Sequence, residues 1–357
     1  MISYAKFENF RGFSHLEMKE IKPITLISGM NNVGKSSVLD GLFLFFDHIA
    51  PESFVKLNNF RGFQSLTEPK YLWEPVFRNL DTYKPIQISL MLSDSKATLH
   101  YERDDSYIVP KDSDVPQNIL NQFISTSQTS YTLKFQYTCG NYKELGHFIT
   151  SPSGLLRHVD TSLQGNRMQS LPYTQFINSV IIQANSDITP LLGNVELSGK
   201  KSELIEILKL IEPSISDITT IMTSGNTAQV YIKTENHLLP IKLAGDGLNK
   251  LMFIIISIIS HPNSLILIDE IETGIHYSAY VDFWKTISLT AQKYKCQIIA
   301  TTHSYEFIVG AVKGLEESSL SDSFCYFRID RTNEGTTAYR YSDKLLRTAI
   351  NTRLEVR

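Results

Sequence analysis

Thiols are scarce in this sequence: among 357 residues only Cys139, Cys296 and Cys325 carry one, each far from the others. Three scattered thiols build neither a disulfide framework nor a cysteine metal cluster, and they suit a reducing compartment. Long apolar runs are also missing. The longest, residues 251–260, falls far short of the ~20 residues a membrane helix needs, so no membrane partner is expected. The opening MISYAKFENFRGF mixes charge throughout and has no signal-peptide pattern, so a cytoplasmic location is expected. Charge of one sign is absent too. A net charge of −3 creates no basic field, which excludes strong constitutive nucleic-acid binding and leaves only a local basic groove open. No heptad is sustained, so there is no coiled-coil arm. Asn249-Lys250 is followed by Leu251-Met252, so the guanine-reading Asn-Lys-x-Asp of GTPases is absent. The pentapeptide NFRGF occurs at residues 9–13 and 59–63, but its flanks differ and it reads as chance.

What is there is concentrated in residues 24–40, ITLISGMNNVGKSSVLD. An apolar strand runs into Gly29, then a polar loop, then Gly34-Lys35-Ser36 opening a helix. This is G-x-x-x-x-G-K-[ST], the phosphate-binding loop, in its strand–loop–helix setting. Gly29 and Gly34 allow a tight backbone path. The N–H groups of Asn31, Asn32, Val33, Gly34, Lys35, Ser36 and Ser37 would then wrap phosphate oxygens at the positive end of the helix. Lys35 would reach the β- and γ-phosphates of ATP, and the Ser36 hydroxyl would ligate Mg²⁺.

Composition is that of an ordinary globular chain, at 42% hydrophobic and 20% charged, which excludes disorder. The length allows one large domain or two lobes. Strands are expected over residues 2–10, 15–19, 86–92, 97–103, 129–137 and 176–183. A polar, irregular stretch is expected at 51–81 and a loop at 151–172. A helix at 201–211 precedes strands at 217–222, 228–233 and 238–243. The last third alternates helix 247–260, strand 265–268, helix 276–291, strand 297–301 and helix 305–312. Its strands are almost wholly apolar, as in a parallel sheet covered on both faces. A strand pair and a final helix close the chain. The expected class is α/β: residues 1–50 and 236–357 form one P-loop core, and 51–235 an inserted β-rich lobe.

Three further stretches carry chemistry. In LILIDEIETG, residues 265–274, an apolar strand delivers Asp269 and Glu270 to the carboxyl edge, where parallel sheets bind ligands. Asp269 would hold Mg²⁺ through water opposite Ser36, and Glu270 would orient the attacking water. Glu272 is either charge at the metal or a helix-start residue. In QIIATTHS, residues 297–304, a second strand ends at His303, whose neutral imidazole can hydrogen-bond the γ-phosphate or the water. A capping role is the bland alternative for a lone histidine; its place behind Asp269-Glu270 favours function. In LAGDGLNK, Ala244, Gly245, Asp246 and Gly247 form a small-residue loop opening a helix, another anion-binding shape.

With these motifs in this order, the chain resembles ABC-class ATPases of the SMC/RecF/OLD group. The likeness is strongest to stand-alone prokaryotic AAA-type ATPases related to the ATPase part of OLD proteins. NFRGF, GMNNVGKSS, AGDGLNKL, LIDEIETGIHYS, ATTHSYEFI and the closing LEVR carry the resemblance. It spans residues 1–50 and 240–357, and the insert only loosely. The resemblance implies an ABC-type ATPase head using ATP and Mg²⁺. Ala244–Gly247 would contact ATP held by the other subunit of a head-to-head dimer, with a higher oligomer left open. Residues 275–278 would cross that seam, and Arg11 would approach the phosphates. The signature departs from Leu-Ser-Gly-Gly, with Ala244 for serine and Asp246 between the glycines. The bridging glutamine is not placed; Gln64, Gln136 and Gln183 are candidates. The residues after His303 are too few for the nuclease domain of OLD proteins.

Two main functions follow. One is an ATP-driven dimeric switch controlling a separately encoded effector, a nuclease or toxin, in prokaryotic anti-phage defence; such gene neighbours belong to the resemblance. The other is a RecF-like clamp that closes on duplex DNA. A non-hydrolytic scaffold is a third, opposed by Glu270 and His303.

Overall fold

The structure is a computed structural model that describes residues 1–63, 69–107, 132–151, 154–159, 171–178, 188–223, 227–235, 237–333 and 335–356. The chain divides into two compact units. The first holds Met1–Ile21, Asn31–Leu171 and Ile329–Ala338, the second Lys22–Met30, Pro172–Arg328 and Tyr339–Arg357.

The first unit is built on a seven-stranded antiparallel sheet. Strands β1 (Ile2–Phe10) and β2 (Phe13–Lys19) are joined by a tight turn, with Phe10 opposite Phe13. Strand β1 pairs on its other edge with β4 (Ile86–Leu92), which continues into β5 (Ser95–Asp104), β6 (Thr132–Cys139), β7 (Tyr142–Ser151) and β8 (Gly154–Val159). Alternation along the strands turns Ala5, Phe7, Ile86, Ile88, Leu90, Leu99, Tyr101, Phe135 and Tyr137 inward, all fully buried. Helix α1 (Lys35–Phe46) closes onto this apolar face, with Phe45 edge-on to Tyr137 at 5.7 Å between centroids. Helix α2 (Ser53–Phe60) adds Phe54, packed edge-on against Trp73, Tyr101 and Phe148. Each such buried aromatic contributes roughly 1.5–3 kcal/mol.

A six-stranded sheet runs in the order β16-β15-β3-β14-β13-β9, of which β3, β14, β13, β9 and Phe324–Arg328 of β15 lie in the second unit. Its strands are β3 (Ile24–Ser28), β9 (Thr174–Ile177), β13 (Leu265–Ile268), β14 (Gln297–Thr301), β15 (Phe324–Thr332) and β16 (Gly335–Tyr341). The pairings β9–β13, β13–β14, β14–β3 and β3–β15 are all parallel. Every residue of β3, β13 and β14 is buried, which is why these strands read as continuous apolar runs. Helices α3 (Ile188–Leu197), α4 (Lys201–Lys209), α5 (Asp246–Ser260), α6 (Tyr280–Lys293), α7 (Tyr305–Glu317) and α8 (Asp343–Asn351) complete the unit. A small antiparallel sheet, β10 (Ile215–Thr223), β11 (Thr227–Thr234) and β12 (Leu238–Pro240), leads into α5.

The compact units do not divide at 50 and 236 as expected. Strands β1 and β2 and helix α1 belong with the antiparallel sheet, because β1 pairs with β4. Residues 172–235 belong with the parallel sheet, because β9 pairs with β13. The expected irregular stretch 51–81 contains α2, and the strand expected to reach 243 ends at Pro240 in a 3-10 turn, Ile241–Leu243. The strand expected over 176–183 starts at Thr174, and its part beyond 178 lies outside the described residues. So does most of the loop expected at 151–172, although 154–159 form β8. Among the described residues no helix is long and apolar enough to cross a membrane.

Candidate functional site

In the phosphate loop, Gly29 sits at φ 145° and Asn32 at φ 62°, and Gly34 caps α1 at φ 103°. Gly34 is required twice over. Its backbone is left-handed, and a Cβ there would lie 2.5 Å from the Phe13 ring. The first turn of α1 has no side-chain cap at Gly34, and the positive end of the helix lies there. Lys35 is buried, while Asn31 and Asn32 are exposed.

Arg11 and the second NFRGF copy meet in the same unit. Asp40, one turn along α1 from Ser36, is fully buried. Arg11 Nε lies 3.0 Å from its Oδ2, and Arg61 Nη2 donates to both oxygens at 2.9 Å. Each NFRGF copy supplies one arginine to a single buried carboxylate. In this structure the Arg11 guanidinium faces Asp40.

In the second unit, parallel pairing sets Ile27 level with Thr301, and Ile268 level with Ala300. Gly29, Asp269 and Thr302 therefore leave one carboxyl edge together, and the Thr302 N–H donates to the Ile27 carbonyl at 2.9 Å. Thr301 organises the acids. Its hydroxyl donates to Asp269 Oδ1 at 2.6 Å and accepts from the Glu270 N–H at 2.9 Å. Glu270 adopts a left-handed backbone, φ 49°. Its Oε1 lies 3.8 Å from His303 Nε2, both side chains being partly exposed. Glu272 Oε1 accepts the His303 N–H at 2.6 Å, and its Oε2 is buried with no hydrogen-bond partner among the described residues. Glu272 is thus a support for the histidine loop rather than a helix-start residue. Lys250, also buried, donates to the Glu270 carbonyl at 2.5 Å. Burial pushes the Lys250 ammonium down to about 8, against the pull of Glu272, Glu270 and Asp269.

The loop at 244–247 adjoins the segment after Glu272. A Cβ on Gly247 would lie 2.5 Å from the Gly274 carbonyl oxygen, so the two backbones touch only because both residues are glycine. Gly245 and Asp246 are exposed, as are 273–274 and 276–278. Leu243 and Tyr277 put large apolar side chains into water on these same segments, at 71% and 70% exposure.

A family model described as AAA ATPase domain matches residues 1–148 and 156–308. The chain belongs to this AAA ATPase family. One relative of this AAA ATPase is the ATP/GTP phosphatase of Helicobacter pylori (strain ATCC 700392 / 26695). It is 26% identical over 334 residues, covering 86% of each chain. Among solved structures, an SMC head bound to the C-winged helix domain of ScpA superposes with a TM-score of 0.53 at 11% identity, covering 96% of this chain and 98% of that one. The fold of this AAA ATPase is accordingly that of an ABC-type P-loop ATPase head.

Mg²⁺ fits the donor chemistry of this AAA ATPase. Among the described residues no group of three or more His, Cys, Asp or Glu could cage a metal. A single buried carboxylate, Asp269 held by the Thr301 hydroxyl, instead suits an ion that takes its other ligands from phosphate and water. Sequence reasoning missed Lys250, Thr301 and Tyr326. The Tyr326 hydroxyl bonds Ser28 and donates to the Val356 carbonyl at 2.5 Å, tying the strand before the phosphate loop to the closing LEVR segment. The available signals were polar residues inside apolar runs: a lysine in LNKLMF and a threonine in IIAT. Of the glutamine candidates, Gln136 lies on β6, paired with His100; Gln64 and Gln183 lie outside the described residues.

Proposed function

We propose that this AAA ATPase hydrolyses ATP with Glu270 as the water-orienting base and acts as a nucleotide-dependent head-to-head dimer. That dimer would control a separately encoded effector, a nuclease or toxin, in prokaryotic anti-phage defence. The hydrolytic assignment is carried by one observation: Gly29, Asp269, Glu270 and His303 all emerge at one carboxyl edge of a single parallel sheet. Backbone N–H groups of 31–37 and the Lys35 ammonium bind the phosphates. The Glu270 carboxylate orients a water and accepts its proton, and His303 hydrogen-bonds the γ-phosphate or that water. Ser36 and Asp269 would hold Mg²⁺, which supplies charge neutralisation on the phosphate oxygens. Arg11 is a further phosphate ligand in this scheme once it turns from Asp40.

The dimer is supported by the exposed residues 243, 245–246, 273–274 and 276–278 on two touching segments, apolar at Leu243 and Tyr277. On that face Ala244–Gly247 would meet the nucleotide of the second copy. The defence role and the cytoplasmic location rest on the resemblance of AGDGLNKL and LIDEIETGIHYS to stand-alone ATPases encoded beside effectors.

Hydrolysis and binding separate in two variants. Lys35→Ala should abolish binding of a fluorescent ATP analogue. Glu270→Gln should bind it normally and release phosphate about 10²–10⁴ times more slowly. Equal turnover by Glu270→Gln and wild type would sink the assignment. The clamp alternative demands DNA binding that needs ATP and weakens steeply with salt; a net charge of −3 argues against strong binding without nucleotide.

A further inference from the structure

Lys250 stands out in the second unit as a cation with no evident structural need. It lies on α5 one turn beyond Asp246, inside a stretch, 249–259, in which every residue is buried. Only 3% of it is exposed, and it forms no ion pair among the described residues. Burying an ammonium this way is costly, and an apolar residue of the same length would serve packing better. Its single hydrogen bond goes to the main-chain carbonyl of Glu270.

The Glu270 backbone needs holding. At φ 49° it occupies a region that non-glycine residues visit rarely. Three contacts fix it: the Thr301 hydroxyl on its N–H, and the Lys250 ammonium and the Thr273 N–H on its carbonyl, of which Lys250 alone comes from another helix. Thr301 belongs to the sheet, a rigid floor. Lys250 belongs to the helix whose first turn is the exposed loop Gly245–Gly247 and whose Gly247 touches Gly274. One end of a single helical turn therefore faces outward, and the other holds the peptide of the catalytic carboxylate.

We propose that Lys250 is a positioning residue through which the exposed loop at 244–247 sets the geometry of Glu270. When a second copy presents its nucleotide to that loop, α5 is drawn or steadied, Nζ follows, and the Glu270 carbonyl goes with it. The carboxylate then points at the water only in the assembled dimer. This deepens the hydrolytic, dimeric reading above and rests on it. The consequence is that hydrolysis depends on the partner through this chain's own Lys250.

The experiment uses the full chain as wild type, Lys250→Met, Lys250→Arg and Glu270→Gln. Steady-state phosphate release is measured over a range of protein concentrations and expressed per mole of nucleotide-binding protein, so that unfolded material does not count. Misplacing a catalytic group by about 1 Å costs up to about 10²-fold, so Lys250→Met should lose kcat on that scale while KM stays within about twofold. It should also lose the rise in specific activity with protein concentration. Lys250→Arg keeps the donor and the charge, and should recover both turnover and concentration dependence. Wild-type turnover by Lys250→Met, with Glu270→Gln inactive, overturns the positioning role alone. Equal loss in Lys250→Met and Lys250→Arg also overturns it, since that marks simple packing. Wild-type turnover by Glu270→Gln overturns the reading on which it rests.

Discussion

One hydroxyl, that of Thr301, sets two acids at once. It donates to Asp269 Oδ1 and accepts from the Glu270 N–H. Valine has the same shape without the hydroxyl, so Thr301→Val should strand a buried carboxylate oxygen and an N–H together. Thermal or urea unfolding should report a loss of roughly 1.5–3 kcal/mol, the range for a charge-assisted bond. Phosphate release should fall as well, because Glu270 loses the anchor on its N–H. An unchanged kcat in a destabilised variant would show that the bonds to the Glu270 carbonyl suffice. At this scale a motif names the residue type in advance, as it does for Lys35, Ser36, Asp269 and Glu270 of the proposed scheme. Thr301 and Lys250 were illegible because their roles come from main-chain partners, 31 and 20 residues away for the bonds of Thr301 and Lys250 to Glu270, that no local pattern encodes.

Helix α1 illustrates the scale of the element. Its amino end carries the phosphate loop, and a turn later Asp40 is gripped by Arg11 from the β1–β2 turn and by Arg61 from the end of α2. Removing the carboxylate leaves two arginines without their shared partner. Asp40→Asn should cost about 3 kcal/mol, toward the low end for breaking a buried ion pair because both arginines keep some contact with water. Arg11→Ala and Arg61→Ala should each cost less, since the other arginine still pairs, and the double variant should exceed their sum. A double-mutant cycle read by denaturant unfolding checks this; simple additivity would mean that the arginines act independently. Elements were legible where the apolar period was clear, as in β3, β13 and β14. The NFRGF repeat was visible in the sequence, but its meaning was not. Only the fold brings residues 11, 40 and 61 together.

For the whole molecule, the exposed face around Leu243 and Tyr277 should close only when nucleotide is bound. Light scattering of Glu270→Gln with ATP should give a dimer, while the ATP-free protein stays monomeric. Tyr277→Asp should abolish dimerisation yet leave ATP-analogue binding intact, because it places a charge in the apolar part of the face. Dimerisation unaffected by Tyr277→Asp would move the interface elsewhere. The division of the chain was the part least legible in advance. Long insertions reveal themselves by composition, but which sheet a flanking strand joins depends on pairing across the chain, as β1 with β4 and β9 with β13.

That long-range pairing has a further consequence during synthesis. Strand β3 pairs on one side with β14 and on the other with β15, and Thr25 touches Cys325 across 300 residues of chain. At about 5–20 residues per second, the ribosome delivers those neighbours roughly 15–60 s after β3 has emerged. An apolar strand left unpaired for that long is a ready target for chaperones and for aggregation. The strand that leads into the phosphate loop is thus made long before the strands that complete its sheet.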